Sequence, residues 1–521
     1  MSSDLKKLPI GIQTFSELVD PAENNIYVDK TEVIGTLAKS GKYYFLSRPR
    51  RFGKSVLLST LAELFAANRP LFRGLFIEDK WDWETRHPVI QISFGSGTYD
   101  TGLHFERQLT RVMRDNRERL GLEPDAGETD NITLFHNLIK KASRKYQQKV
   151  VILIDEYDKP VLDHITDREV ARRNRDKLKG FYSTIKDLDE YIRFVMITGV
   201  SKFAKMNLFS GLNNLEDITI DERYATICGY THAEVEENFG DYLAGVDTEK
   251  LKEWYNGYNY FGEPVYNPFD ILLFFSKNRE YRPYWWSTGN PSFLIDLLKE
   301  QRRYLPELEN YIADDIILDS FDVDHIDLVA LLWQTGYLTF KSKQAAIDGI
   351  EYHLKVPNKE IQISLNNLFI QYLTNQSREL RSHKREFYRI LADADLPAFR
   401  QSLTSLFAGI PYQNYANQII EKYEGYYASV IYAYLASLGL PFIAEDVTSK
   451  GRVDLTIQLP DKVYIIEFKV DQPGKALEQI KARKYHEKYQ APGRTVYLVG
   501  ISFDSREKNI TDFEWEVIPG N

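Results

Sequence analysis

Two stretches of this 521-residue chain set charged side chains where they could act on phosphate. The first is Arg48-Pro49-Arg50-Arg51-Phe52-Gly53-Lys54-Ser55, between the apolar run YYFLS at 43–47 and the amphipathic run KSVLLSTLAELFAA from Lys54. A loop between a buried strand and a helix start aims backbone N–H groups and the helix dipole at an anion. In such a loop Lys54 would reach the β- and γ-phosphates of a nucleoside triphosphate, and Ser55 would hold Mg²⁺. The usual pattern opens with glycine five positions before Gly53, where this chain has Arg48. Arginine takes a left-handed backbone at a cost of about 1–2 kcal/mol, so the loop must turn differently at its start, with Pro49 fixing one dihedral.

A second element fits the same chemistry. The apolar run Val150–Ile154 ends in Asp155 and Glu156. A central place in a parallel sheet would set Asp155 beside the loop at the carboxyl edge, where ligands bind. Asp155 would then hold Mg²⁺ through water, and Glu156 would orient or deprotonate the attacking water. The alternative is a strand end capped by surface acids. Another apolar run, 194–199, includes Thr198 and is followed by Ser201 and Lys202. Thr198 either senses the γ-phosphate or caps a loop.

The second stretch is Gly451-Arg-Val-Asp454-Leu-Thr-Ile-Gln-Leu-Pro-Asp-Lys-Val-Tyr-Ile-Ile-Glu467-Phe-Lys469. Alternate residues of a strand share a face, so Glu467 and Lys469 point the same way. With Pro460 and Asp461 as a two-residue loop, Leu459 faces Lys462, and counting back sets Asp454 opposite Glu467. Two opposed carboxylates repel, and a divalent cation between them reverses the sign. Hard oxygen donors and the lack of a Cys/His cluster favour Mg²⁺, or Mn²⁺, over zinc. With Lys469 orienting a water and stabilising phosphate charge, the set suits metal-assisted phosphodiester hydrolysis. Spacing alone slightly favours the other reading, an exposed strand in which Lys469 neutralises Glu467.

These residues need elements to position them. The chain is long enough for about three domains, expected at 1–225, 226–410 and 411–521. Strands at 43–47, 89–94, 150–154 and 194–199, with helices between them such as 131–146, predict an α/β domain with a largely parallel sheet. Residues from about 226 to 375 turn aromatic and helical in pattern, and such runs usually mean packed helices. From residue 411 the pattern reads helix (416–438), strand (452–459), strand (463–470), helix (475–489) and strand (495–500).

The formal charge of −9 counts against a nonspecific nucleic-acid coat but leaves room for a local basic channel. Basic runs lie at Arg48–Arg51, Arg172–Lys179 and Arg378–Arg389, and each alone fits a solvated face. The single cysteine, Cys228, excludes an internal disulfide. Together with an N-terminus lacking a long apolar core, it makes the cytoplasm the expected location. The uncharged stretch Gly425–Ala444 contains Gly439 and Pro441 and reads as a buried helix leading into a strand, with no membrane segment expected.

Beyond spacing, residues 8–220 resemble the AAA-ATPase-like family at IGIQTFSELV, YVDKTEVI, SRPRRFGKS, VILIDEYDKP and MITGVSKF. That family carries RPRRFGKS with arginine in the glycine's place, so Arg48 is what the resemblance implies. It further implies a P-loop NTPase domain that binds ATP with Arg48 to Ser55, a helical lid over 226–375, and a contribution of Asp29, Lys30 and Thr31 to the pocket. Residues 415–518 resemble the PD-(D/E)XK nuclease superfamily at GRVDLTI, IIEFK, LEQIKARKYHEKY and YLVGISFD. This implies an α/β restriction-endonuclease-like fold, Asp454 and Glu467 as metal ligands, Lys469 as the catalytic lysine, and Gln479 and Tyr485 as a RecB-type helix motif. An acid on the upstream helix completes such metal sites. Glu424 is the choice, with Glu421 and then Glu445 as competitors. The expected protein binds, and hydrolyses, ATP and acts on nucleic acid, DNA or RNA. The alternative is an ATP-dependent switch whose C-terminal domain binds nucleic acid or protein without cleavage.

Overall fold

The computed structural model describes residues 5–124, 130–202, 214–286, 311–314, 317–318, 321–322, 325–347, 349–374, 380–410, 424–436, 442–490 and 493–520. Among these, the residues up to 286 together with Ile312–Asn358 form one compact unit, and Tyr311 with those from Lys359 onward form a second. The expected middle region, 226–410, is therefore divided between the two.

The first unit is built on five parallel strands: β1 (Tyr43–Ser47), β2 (Val89–Ser93), β3 (Val150–Asp155), β4 (Ile192–Gly199) and the short β5 (Glu216–Asp217). Their order is β2-β3-β4-β1-β5. β1, β3 and β4 are almost wholly buried, as unbroken Val/Ile/Leu/Phe runs require when both faces are covered. The strand ending in Asp155 is thus separated from the loop's strand by β4. Helix α1 (Lys54–Phe65) follows the loop, and three longer helices, α2 (Gly102–Arg119), α3 (Asn131–Tyr146) and α4 (Arg168–Asp187), pack on one another. Side chains of Thr101, Asp130 and Asp167 cap these three at their N-termini, which satisfies orphan N–H groups.

The aromatic stretch after residue 226 forms a core, as expected: Tyr255, Tyr266, Phe274, Phe275 and Tyr284 pack with Val235, Phe239 and Leu251. It is not wholly helical. Strands β6 (Ile312–Ala313), β7 (Thr339–Ala346) and β8 (Gly349–Lys355) form an antiparallel sheet in the order β6-β8-β7. Ala346 pairs with Gly349.

The second unit centres on β9 (Phe442–Thr448), β10 (Gly451–Gln458), β11 (Lys462–Val470), β12 (Thr495–Asp504) and β13 (Asn509–Ile518), in that spatial order. Only β11 and β12 run parallel. Helix α5 (Glu424–Ala436) packs on the helix Lys359–Thr374, and α6 (Lys475–Arg483) packs on β11 and β12. The expected helix 475–489 stops early. Lys484 takes φ +51°, and a 3₁₀ turn covers Tyr485–Tyr489. No described helix is long and apolar enough to cross a membrane.

Candidate nucleotide and metal sites

The loop after β1 turns at two residues, Arg51 (φ +67°) and Gly53 (φ +94°), and not at Arg48. Arg48 continues the strand, its N–H donating to Gly199 O at 3.2 Å. Its guanidinium is buried, donating to Thr219 O (2.6 Å), Ser47 O (3.0 Å) and Tyr224 O (3.4 Å), and lies 3.5 Å from the Tyr260 ring centroid. The guanidinium is thus engaged on the protein side of the loop. Arg48 anchors the loop from below, because three carbonyls and a ring already occupy the cation. The rest of the loop is held by residues after 226. Arg50 O accepts from Trp285 Nε1 (3.0 Å) and Asn267 Nδ2 (3.3 Å), and Phe52 O accepts from Gly229 N (3.1 Å). A Cβ at Gly336 would meet Pro49 at 2.7 Å.

Lys54 is buried, and its ammonium donates to Arg48 O and Pro49 O, each at 2.9 Å. Burial lowers its pKa, and the charge of Asp155 acts the other way. Although β4 intervenes in the sheet, α1 crosses toward β3, and Ser55 Oγ donates to Asp155 Oδ2 at 2.6 Å. Asp155 Oδ1 accepts from Thr198 Oγ1 (2.7 Å) and Glu156 N (3.0 Å). Thr198 is fully buried, so here it orients Asp155. Glu156 sits at φ +51°, and burial together with the Asp155 charge raises its pKa.

Arg50 to Leu57, Glu156 and Lys30 line a cavity of about 490 Å³. Its other walls include Pro9, Ile12, Tyr27, Phe269 and Leu272, an apolar set that the spacing argument did not foresee. Lys30 reaches the cavity and pairs with both oxygens of Glu234 at 2.6 Å. Its neighbours serve a turn instead: Asp29 Oδ2 accepts from Phe76 N (2.8 Å) and Thr31 Oγ1 from Ile77 N (3.2 Å). Ser201 and Lys202 are also spoken for, Ser201 Oγ donating to Asp158 Oδ2 (2.6 Å) and Lys202 pairing with Asp217 at 3.1 Å. Asp158 was missed. It is a buried carboxylate whose Oδ2 also accepts Val200 N (3.0 Å) and Ser201 N (2.6 Å), and burial raises its pKa. Its signal was an acid three residues after Asp155, on the same strand exit.

In the second unit the pairing runs from Leu455 opposite Ile466 to Gln458 opposite Val463, and Leu459 N–H donates to Lys462 O. One further step in that register sets Asp454 opposite Glu467. There the backbone ladder gives way to side chains. Phe468 N–H donates to Asp454 Oδ2 at 2.8 Å, and the Glu467 carboxylate accepts from the Asp454 N–H. Glu467 is 2 % exposed. Its Oε1 accepts from Gln479 Nε2 and lies 3.4 Å from Lys469 Nζ, whereas its buried Oε2 has no hydrogen-bond partner among the described residues. Burial first, then the Asp454 charge, pushes its pKa up to about 8. Lys469 also donates to Phe468 O at 2.8 Å.

Gln479 and Tyr485 lie on different elements. Tyr485 lies beyond the break at Lys484 and packs on Gly451, where an added Cβ would meet its hydroxyl at 2.8 Å. Glu424 opens α5, but its side chain, that of Glu445, and Glu421 altogether lie outside the described residues. Among the described residues no group of three or more His, Cys, Asp or Glu is placed to hold a metal. The ligands present do fit a hard divalent cation: two adjacent carboxylates, one with a buried oxygen that no described residue donates to.

Two family models match the chain. One, described as "Predicted AAA-ATPase" (AAA-ATPase-like), covers residues 9–209, and the other, the PD-(D/E)XK nuclease superfamily, covers 422–513. An "Uncharacterized protein in vnfD 5'region" of Azotobacter chroococcum mcd 1 is 46 % identical over 512 residues, 98 % of each chain. The chain belongs to the AAA-ATPase-like family with a C-terminal PD-(D/E)XK nuclease superfamily domain. Both family domains suggest enzymatic activity, of ATPase and nuclease type, and imply nucleotide and nucleic acid as partners. The cavity belongs to the AAA-ATPase-like half, and the hairpin with Asp454 and Glu467 falls inside the superfamily match.

Proposed function

We propose that the protein binds and hydrolyses Mg²⁺-ATP in the cavity beside Lys54, and cleaves nucleic-acid phosphodiesters with Mg²⁺ or Mn²⁺ at Asp454 and Glu467. One kind of observation supports both halves: each unit buries an ionisable side chain with bonding capacity left for a ligand. Lys54 has carbonyl partners but no carboxylate in ion-pair reach among the described residues, which suits a triphosphate. Glu467 Oε2 has no donor among the described residues, which suits a cation.

In the first unit, Lys54 would exchange two loop carbonyls for phosphate oxygens. Ser55 and Asp155 would hold Mg²⁺, Ser55 directly and Asp155 through water, with Thr198 fixing the carboxylate. Glu156, with its raised pKa, would accept the proton of the attacking water. In the second unit a bound divalent cation supplies Lewis acidity and a more acidic water. Asp454 and Glu467 would hold it, Gln479 would orient Glu467, and Lys469 would neutralise developing phosphate charge. In this reading ATP gates cleavage.

The test is incubation of DNA and RNA, single-stranded and duplex, with Mg²⁺ or Mn²⁺, with and without ATP. Asp454→Ala should lose cleavage by at least about a thousandfold, by loss of a metal ligand. Lys54→Ala should lose the ATP dependence of cleavage. Binding without cleavage by the wild type under every condition would replace the nuclease with a nucleic-acid-binding module. Cleavage that ignores ATP in both proteins would remove the gating.

A further inference from the structure

Charge in this chain is segregated. Helices α2, α3 and α4 together carry sixteen Lys and Arg against six Asp and Glu, in a chain whose net charge is −9. Helix α3 has no acidic residue at all. The cations are stacked on helical neighbours: Arg107, Arg111 and Arg114 follow one another at spacings of four and three, as do Lys140 and Arg144 at four. Like charges at such spacings repel and destabilise a helix, so this arrangement works against folding. Acids relieve it only partly. Arg111 and Arg114 approach Asp115 at no closer than 3.6 Å, and Arg114 approaches Glu118 at 3.9 Å. Where α2 meets α3 there is a groove of about 130 Å³. Met113, Leu134 and Leu138 form its apolar floor, and Arg114, Arg117 and Lys141 stand around it.

We propose that the α2–α3 groove of the ATPase-type unit is a docking site for the phosphodiester backbone of nucleic acid, held by Arg114, Arg117 and Lys141. This rests on the proposal that the protein acts on nucleic acid, and it adds a contact surface on the unit that carries no nuclease site. Three observations favour that ligand over an acidic protein. Arginine outnumbers lysine across the three helices, and its planar fork matches phosphate. The cations recur along a helix face, which suits a repeating anion. An apolar floor under a cationic rim accommodates a sugar edge beneath its phosphates.

The test uses the full chain carrying Asp454→Ala, which suppresses cleavage, and the same chain with R114E, R117E and K141E added. Fluorescence anisotropy with labelled duplex and single-stranded oligonucleotides is read across a salt series, with polyglutamate as competitor. The triple variant should lose about tenfold or more in affinity, and its log–log salt slope should fall by about two to three, close to one per lost phosphate contact. Retained ATP affinity in the variant shows that the unit is folded. Equal affinity and equal slope in the two proteins would overturn the site while leaving nucleic-acid action intact. Polyglutamate competing as strongly as unlabelled nucleic acid would reassign the face to an acidic partner. No binding by the Asp454→Ala chain itself would overturn the groove and the nucleic-acid reading together.

Discussion

The two candidate sites solve opposite problems. Around the loop after β1 most of the polar groups named above have partners within the chain: Asp155 has Ser55 and Thr198, Lys54 has two carbonyls, and Arg50 O has Asn267 and Trp285. Binding there must displace existing bonds, so affinity comes from exchanging weak partners for strong ones. The hairpin of the second unit holds Glu467 nearly as tightly, yet leaves Oε2 bare and Asp454 beside it. Binding there relieves a standing electrostatic penalty. The first site is pre-organised and the second is strained, and the two should respond differently to mutation, proton and metal.

The largest effect should come from challenging pre-organisation. Arg48→Gly restores the residue that the common phosphate loop carries, but removes a cation that three carbonyls and the Tyr260 ring depend on. Stranding buried carbonyls costs about 1–3 kcal/mol each, so the variant should lose about 3 kcal/mol or more of stability by denaturant titration. Unchanged stability with tighter ATP binding would break the comparison on this side.

Next is the proton. A carboxylate whose native pKa is raised, here to about 8 from an ordinary 4.5, favours its neutral form in the fold. Its contribution to stability is present below the unfolded value and is lost as pH rises from about 4.5 through about 8. Metal competes with that proton. Without metal the second unit should weaken between pH 6 and pH 8.5, and the rise in Tm on adding Mg²⁺ should be larger at pH 8.5 than at pH 6. A shift independent of pH would mean that Glu467 is not relieved by the cation.

The smallest effects should come from the residues that hold the key carboxylates. Thr198→Ala frees one oxygen of Asp155, and Gln479→Ala frees Oε1 of Glu467. Each should weaken Mg²⁺-dependent binding at its own site by about tenfold, measured by calorimetry with ATP for the first and metal alone for the second. An effect at the wrong site, or none, would blunt the parallel.

How much of this was legible in the chain depended on range. The order strand, loop, helix, strand, acid was readable because each part is local, and β1, α1 and the end of β3 fall at the expected residues. The hairpin register was readable because the side-chain period is two and Pro460–Asp461 fixes the turn. The partners of Arg48 were not, since Thr219, Tyr224 and Tyr260 lie about 170 or more residues away in sequence and their convergence is tertiary. The apolar wall from Pro9 and Ile12 was hidden for the same reason. The break at Lys484 was missed because a lysine carries no turn signature. The β7–β8 pairing was missed because the aromatic runs around it read as helical.

The claim that a buried, incompletely partnered carboxylate awaits a cation can be tested most directly by diffraction from crystals soaked in Mn²⁺, using the metal's anomalous signal. The account predicts one peak about 2.1 Å from Glu467 Oε2 and from an oxygen of Asp454. Saturating Mn²⁺ with no peak there, and Glu467 still bare at Oε2, would contradict it.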